Sequence, residues 1–436
     1  MTSYLPAVLG GLFLVLSACA PAPQGEPGVV IVNARVLDGS GGPPQAVSVR
    51  IVGERIVAVG AVEPEHRDTV VDGTGLALAP GFIDTHSHHD IGLLEMPGAL
   101  AAVSQGVTTI VAGQDGGQNF PLAEFFDRLE ATPVAVNVAS FAGHGTLRGE
   151  VMAEDYRREA SAAEVSAMAD LLRTEMEAGA LGLSSGLEYD PGSFSSTGEL
   201  IALAEVAAEY GGRYTSHIRS EDQYFWQAVD EAIEIGREAG IPVRVTHVKL
   251  AMTRWWGMAD ELKDRLNEAR ADGVDVSVDV YPYRAWNTGF SWLVTLFPDR
   301  DLDRREGARY ILEDMLSPEG ILLATYAPEP AYNGMTIAEI AVLRESDPEE
   351  TLIELLKAEG EMEGEDAESM MLGFAMDEPD IEAIMAWPHT VIGSDGELAG
   401  VHPRGFGAFT RFLGHYVRER EVVALAEAVR KITALP

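Results

Sequence analysis

Residues 78–90 read LAPGFIDTHSHHD, an apolar run followed by three histidines and two aspartates packed into positions 81–90. The apolar part, interrupted by Pro80 and Gly81, reads as a short buried strand. Side chains alternate along a strand, so His86 and His88 point the same way and both imidazoles can reach one ion. His89 stands at odd spacing and points elsewhere; with Asp90 it begins the loop beyond the strand. A strand ending in a same-face histidine pair predicts half of a metal site. The other half has to come from elsewhere in the chain.

Seven further runs follow: VTTIVAGQD, PVAVNVASF, ALGLSSG, GRYTSHI, IPVRVTHV, VDVSVDVYPY and HTVIGSD. Between several of them lie amphipathic stretches of helical period, such as SAAEVSAMADLLRTEMEAG and DQYFWQAVDEAIEIGREAG. Eight buried strands alternating with helices predict an α/β chain with a (β/α)8 barrel over residues 81–436. Nearly every run ends in a residue able to bind metal or move a proton: His86 and His88, Asp115, His144, His217, His247 and Asp395. In such a barrel the C-terminal strand ends converge on one face. Taken singly, His217 or His247 reads as a hydrogen-bonded core histidine. Together, four histidines and an aspartate at strand ends predict a catalytic metal site, because zinc takes neutral imidazole and carboxylate ligands and leaves a position for water. His144, in FAGHGTLR, is open to a role in orienting a ligand, in contacting substrate or in structure. His66 and His415 lie in polar surroundings and read as surface residues.

Upstream of the barrel, GVVIVNARVLDGSG, AVSVRIVGERIVAVG and DTVVDGTGLALAP are β-branched runs split by turn residues. They predict a small β-sandwich-type domain of antiparallel strands over residues 28–80. Residues 1–19, MTSYLPAVLGGLFLVLSAC, hold an apolar core too short to span a membrane and read as an export signal. The sole cysteine, Cys19, closes LSAC, which resembles the lipobox of bacterial lipoproteins. Lipidation of Cys19 and a flexible tether over residues 20–27 would place the mature chain in the bacterial cell envelope, lipid-anchored or periplasmic. With one cysteine, no intrachain disulfide can form. The formal charge of −38, from 69 acidic against 31 basic residues, excludes nucleic acid as a partner. Acidic runs such as ESDPEE and AEGEMEGEDAES read as solvated faces. Residues 288–375 interrupt the barrel between its seventh and eighth strands, as a lid over the pocket or as a passive excursion.

The ordered motifs PGFIDTHSHHD, GALGLSSGLEYDPGSF, SHIRSE, THVK, DVYPY, IGSDG and HPRGFG resemble the amidohydrolase superfamily, specifically its N-acyl-D-amino-acid deacylase (D-aminoacylase) branch. The resemblance implies that His86 and His88 serve one metal site and His217 and His247 the other, with one or two Zn2+ ions or another divalent metal. It makes Asp395 the proton-transfer carboxylate. It places Lys249 and Arg404 on the carboxylate of an anionic N-acyl amino acid, with Tyr189 and Tyr281 as further substrate contacts. By residue type alone, Lys249 and Arg404 would read as members of surface ion pairs. An arginine fork does suit a carboxylate, and lysine adds a point charge. The implied chemistry is attack of a metal-activated water on an amide, releasing a carboxylic acid and a free amino acid.

This chain departs from the branch at one ligand. Its members carry a cysteine after the second strand, in a GNCG context, where this chain reads VAGQDGG and places Asp115. The fourth strand ends in LSSG and offers no lysine for carbamylation. Asp115 is therefore the expected bridging ligand, and a hard oxygen in place of thiolate favours a more symmetrical, two-metal site. The chain also stops at EAVRKITALP, where the branch continues into strands that return to the β-domain; their absence here is the expectation. Two other functions fit the residues: an amidohydrolase acting on cyclic amides or on dipeptides with a D-residue, and a non-catalytic metal- or anion-binding envelope lipoprotein.

Overall fold

The structure, a computed structural model, describes residues 26–297, 301, 303–362 and 369–436. Cys19, the signal segment and most of the tether lie outside the described residues. The described chain divides into two compact units, one ending at Leu37 and resuming over Pro44–Leu78, the other comprising Asp38–Pro43 and Ala79–Pro436.

The larger unit is built on eight parallel strands: β1 (Phe82–Asp84), β2 (Val107–Ala112), β3 (Asn137–Ser140, continued by Ala142–Gly143), β4 (Gly182–Gly186), β5 (Arg213–His217), β6 (Val243–Val245), β7 (Val276–Val280) and β8 (Thr390–Ile392). Each pairs in parallel with the next, and the ring closes where Ser87 bridges Gly396. Buried Asp84 fastens this seam: it accepts hydrogen bonds from the backbone N–H of Ser394, at 2.8 Å, and from the Ser394 hydroxyl. Helices such as Ala162–Glu177, Thr197–Glu209 and Phe225–Ala239 follow the strands. The first starts at a capping box in which Ser161 and Glu164 satisfy each other's backbone N–H groups. The third buries Phe225, Val229, Ala232 and Ile233, the i, i+3/i+4 stripe that helical period predicts.

Between β7 and β8 the insertion forms a subdomain of its own. Its sheet pairs Trp286–Gly289 and Ile321–Thr325 with Met370–Gly373, antiparallel in both cases. A separate apolar cluster including Phe290, Leu293, Ile311, Leu323, Ile340, Leu352 and Met371 lies beneath it. Helix Pro348–Gly360 buries Leu352, Leu355 and Leu356, while Glu349 and Glu350 pair with Arg305 at its exposed edge. The acidic runs thus bound an amphipathic packed element. Glu359 is the exception to a solvated face, since it is buried and accepts from the Ser369 N–H.

The smaller unit corrects one expectation. Its four-stranded sheet has the order Arg55–Gly60, Ser48–Val52, Val29–Val32, Thr69–Asp72, and the last pairing is parallel. In its second sheet Arg35–Val36 likewise pairs in parallel with Ala77–Leu78. The strands are mixed because the hairpin occupies one edge, and the chain crosses back over residues 61–68 to enter the other edge in the direction of the first strand. Asp68 ends that crossing by accepting a fork from Arg50 and the Gly28 N–H.

Candidate active site

The ends of the barrel strands bring the histidines and aspartates to one place. Regular pairing of β1 stops at Asp84, and His86 and His88 flank the bridged residue Ser87, so the two-residue alternation carries on past the strand. His217 is the last residue of β5, and His247 lies just beyond β6. Asp115, His247 and Asp395 all have positive φ, at 53°, 32° and 49°, a region that costs a non-glycine residue energy unless its surroundings enforce it. The enforcement is visible. The His247 N–H donates to Asp279 at 2.6 Å, and the Asp395 N–H donates to the His86 carbonyl at 2.8 Å. Gly186 makes room for the turn at Asp115: a Cβ there would stand 2.2 Å from the Asp115 carbonyl oxygen.

Asp115 joins two clusters. Its Oδ2 lies 3.5 Å from His86 Nε2 and 3.3 Å from His88 Nε2, and Asp395 Oδ1 lies at 3.5 and 3.3 Å from the same two nitrogens. Its Oδ1 lies 3.6 Å from His247 Nε2, which is 3.0 Å from His217 Nδ1. Ligand atoms about 2.1 Å from a tetrahedral ion stand roughly 3.4 Å apart, close to most of these separations. The Nε2 atom of buried His86, the nitrogen turned toward Asp115 and Asp395, and Oδ1 of Asp115 make no hydrogen bond. Burying such groups without a partner is costly, and a cation between them removes the cost. The donor set, imidazoles and carboxylates, therefore fits zinc. Charge agrees: burial opposes protonation of His88, but the Asp115 and Asp395 carboxylates outweigh it and push the ring up to about 10. Carboxylates that demand a proton so strongly will accept a divalent ion in its place.

A cavity of about 300 Å³ opens beside these clusters, within the usual range for small-molecule sites. It is lined by His88, Asp115, His217, His247 and Asp395, and also by Tyr189, Lys249, Tyr281 and Arg404. Lys249 and Arg404 are buried, not surface ion pairs. The Arg404 Nη1 atom is 2.6 Å from Asp395 Oδ2, and its guanidinium lies 4.9 Å over the Tyr281 ring. Lys249 Nζ donates to both oxygens of Glu221. The Tyr189 ring packs 4.4 Å from that of His217. One face of the cavity is thus a ligand set for cations, and the next carries two cations suited to a carboxylate.

Residues 69–289 match the sequence profile of the amidohydrolase family. An N-acyl-D-glutamate deacylase of Alcaligenes xylosoxydans xylosoxydans is 37% identical, over 94% of this chain and 82% of its own. The chain belongs to the N-acyl-D-amino-acid deacylase family of amidohydrolases. Among solved structures, an N-acyl-D-glutamate deacylase from Bordetella bronchiseptica, complexed with zinc and a phosphonate mimic of the tetrahedral intermediate, superposes on this amidohydrolase with a TM-score of 0.80. It is 32% identical and covers 94% of this chain and 85% of its own. A D-aminoacylase studied for its binuclear metal centre gives 0.77, at 33% identity over 93% and 84%.

Three further carboxylates of this amidohydrolase contact the histidines, and residue-type reasoning passed over them. Asp279 Oδ1 lies 3.4 Å from His86 Nδ1, Glu221 Oε1 lies 3.0 Å from His247 Nδ1, and Glu188 Oε2 lies 3.0 Å from His217 Nε2. Each occupies a ring nitrogen other than the one turned toward the Asp115 clusters, and so orients the ring and selects its tautomer; Glu188 and Glu221 also line the cavity and with His217 form a third group able to hold a cation. The signal for Asp279 was a single acid within VSVDV, a strand otherwise apolar or small. Glu188 and Glu221 sit inside GLEY and SHIRSE, one residue from Tyr189 and four from His217, with nothing local to single them out. His144 is elsewhere, donating to Glu199 at 2.8 Å in a buried group with Arg148. His89 is buried too, bound to the Ser87 hydroxyl and the Gly405 carbonyl. His66 is exposed and His415 half-buried against Glu419.

Proposed function

We propose that this chain is a metal-dependent hydrolase that cleaves the amide bond of N-acyl-D-amino acids to a carboxylic acid and a free amino acid. One observation carries the reading: the Asp115 carboxylate faces His86 and His88 with one oxygen and His247 with the other, beside a cavity that also holds Arg404 and Lys249. Arg404 and Lys249 bind the α-carboxylate and so fix the amide over the clusters. Asp395, 3.3 Å from His88 Nε2, accepts the proton of the attacking water and returns it to the leaving nitrogen. Tyr189 and Tyr281, both kept protonated by burial and by neighbouring carboxylates, are hydroxyl donors toward the substrate. His217, His247 and Asp115 would hold one zinc ion, and His86, His88, Asp115 and Asp395 a second; bound there, zinc would supply polarisation of the carbonyl and activation of water.

Asp115 bridging the two sites is part of the same reading, with carboxylate standing where the branch has thiolate. Purified protein loaded with zinc, assayed on N-acetyl amino acids of both configurations, on cyclic amides and on dipeptides, tests the activity. Release of acetate from the D-series alone is the expected result; turnover confined to cyclic amides would overturn it. Metal analysis of Asp115→Ala should show lost metal at both sites, and unchanged content and activity would remove Asp115 from the centre.

We further propose that the mature protein begins at a lipidated Cys19 and is held at the bacterial envelope. The support is the LSAC sequence after an apolar segment. Among the described residues no helix is long and apolar enough to cross a membrane. Mass spectrometry of the N-terminal peptide from membrane fractions, for the intact chain and for Cys19→Ser, tests it.

A further inference from the structure

We infer that the base of the barrel, at the end opposite the catalytic clusters, holds a binding site for a doubly charged oxyanion of the phosphate class. A second cavity, of about 210 Å³, opens there, lined among others by Arg213, Arg244, Arg270, Asp275, Ser277 and His389. The strands fix its position. Arg213 starts β5, Asp275 immediately precedes β7 and His389 immediately precedes β8, whereas His217 ends β5 and His247 lies beyond β6. The interior of such a barrel is ordinarily filled by branched aliphatic side chains. Here β6 runs Val243, Arg244, Val245 with both valines buried, and the register sets Arg244 level with Thr215 of β5 and Ser277 of β7. By alternation those two share a face with His217 and Asp279, so Arg244 points into the barrel. A chain with a formal charge of −38 repels anions in general, so a place for one has to be built locally.

The charges in this cavity do not cancel. Asp275 is taken by Arg270, whose Nη1 donates to it at 2.8 Å and to the Val276 carbonyl at 2.5 Å. Arg244 donates from Nε to the Ser277 hydroxyl at 3.4 Å, and among the described residues neither Arg244 nor Arg213 is in an ion pair. Burial, joined by the neighbouring Arg213 charge, lowers the Arg244 pKa against the pull of Asp279 and Asp275. Burial, and then the charges of Arg270 and Arg430, lower that of His389 too, so its ring enters the cavity neutral. Two guanidiniums are left over, and a partly desolvated cation without a counterion is costly. A carboxylate would neutralise one of them. A phosphate, with about two negative charges and at least three acceptor oxygens, meets both and leaves oxygens for the hydroxyls of Thr215 and Ser277, which line the same cavity.

Equilibrium dialysis of the zinc-loaded protein against labelled inorganic phosphate, at pH 8 and fixed ionic strength, tests the site on the parent, Arg244→Gln and Arg213→Gln. The parent should bind one phosphate more per chain than Arg244→Gln, since any phosphate at the zinc centre is common to both. Arg213→Gln should weaken the same site by roughly tenfold, the scale of one lost charge-assisted hydrogen bond. Zinc content and far-ultraviolet circular dichroism establish that each variant keeps its barrel; Arg213 is exposed, so its variant carries the comparison if Arg244→Gln does not fold. Equal phosphate binding by the parent and the folded variants overturns the proposal. Acetate displacing the label as well as sulfate does would overturn the choice of a doubly charged ligand. Glycerol 3-phosphate displacing it as well as unlabelled phosphate assigns the site to the phosphate end of an organic molecule, and displacement by inorganic phosphate alone assigns it to the free ion.

Discussion

The guanidinium of Arg404 lies 2.6 Å from the carboxylate of Asp395, so the group proposed to receive a substrate's charge also holds the group proposed to move the proton. Burial opposes ionisation of Asp395, but Arg404 first, then the nearby histidines, keep its carboxyl far below the usual carboxylate range. Arg404→Met removes the largest of these cations. KM should rise and kcat/KM should fall by roughly two to three orders of magnitude, the scale of a lost charge-assisted pair in a buried site. The Asp395 pKa must then rise, so the acidic limb of the kcat/KM profile moves to higher pH. A profile that falls uniformly without that displacement would show that Arg404 acts on the substrate alone.

The further carboxylates that contact the histidines should matter for metal retention more than for folding. Glu188→Gln and Asp279→Asn keep the shape of the side chain and remove its charge. Zinc affinity, measured by competition with a chelator, should fall by about 10–100-fold for each. Thermal unfolding of the metal-free variants should stay near that of the metal-free parent. A large loss of metal-free stability with unchanged zinc affinity would make these residues structural.

Gly186 is a strict requirement of the site's geometry. In Gly186→Ala the new methyl would collide with the Asp115 carbonyl, a backbone atom that cannot rotate away. The expected cost is about 1–3 kcal/mol of stability, from overpacking at a rigid point. Activity should fall further than stability, because the Asp115 turn has to move. Urea unfolding together with zinc stoichiometry checks both.

His402 makes stability depend on pH. The buried ring donates from Nε2 to the Ala285 carbonyl and accepts at Nδ1 from the Arg404 N–H, each at 3.0 Å, so both bonds require the neutral tautomer. Burial, and then the Arg404 charge, push its pKa down to about 3. A group with a depressed folded pKa contributes stability in full above its unfolded pKa, about 6.5, and loses it as pH falls toward the folded value. Between pH 7.5 and pH 5 the loss should be about 2 kcal/mol. Urea midpoints for the parent should fall more steeply over that window than those of His402→Asn. Equal slopes would exclude the ring as the source.

Much of this was legible from local pattern. The spacing of His86 and His88 declares a shared direction because strand side chains alternate, and that holds even though regular pairing stops at Asp84. The eight apolar runs and the helical stripes between them are likewise local consequences of burial. In the small N-terminal unit the same reasoning identified strands and missed their direction, because parallel pairing of Val29–Val32 with Thr69–Asp72 depends on where the intervening chain crosses.

By itself, the sequence determined the element types, the barrel class and which residues could serve as ligands, since each is a property of a few consecutive positions. Only the tertiary structure decided the division of labour. It set one oxygen of Asp115 toward His86 and His88 and the other toward His247, brought Glu188, Glu221 and Asp279 against the rings, buried Lys249 and Arg404 against carboxylates, and placed Trp286, Asn287, Trp292 and Met370 of the insertion at the cavity. Those relations join residues from distant turns of the barrel. They arise from closure of the ring at Ser87 and Gly396 and from packing of the insertion, which no local period encodes.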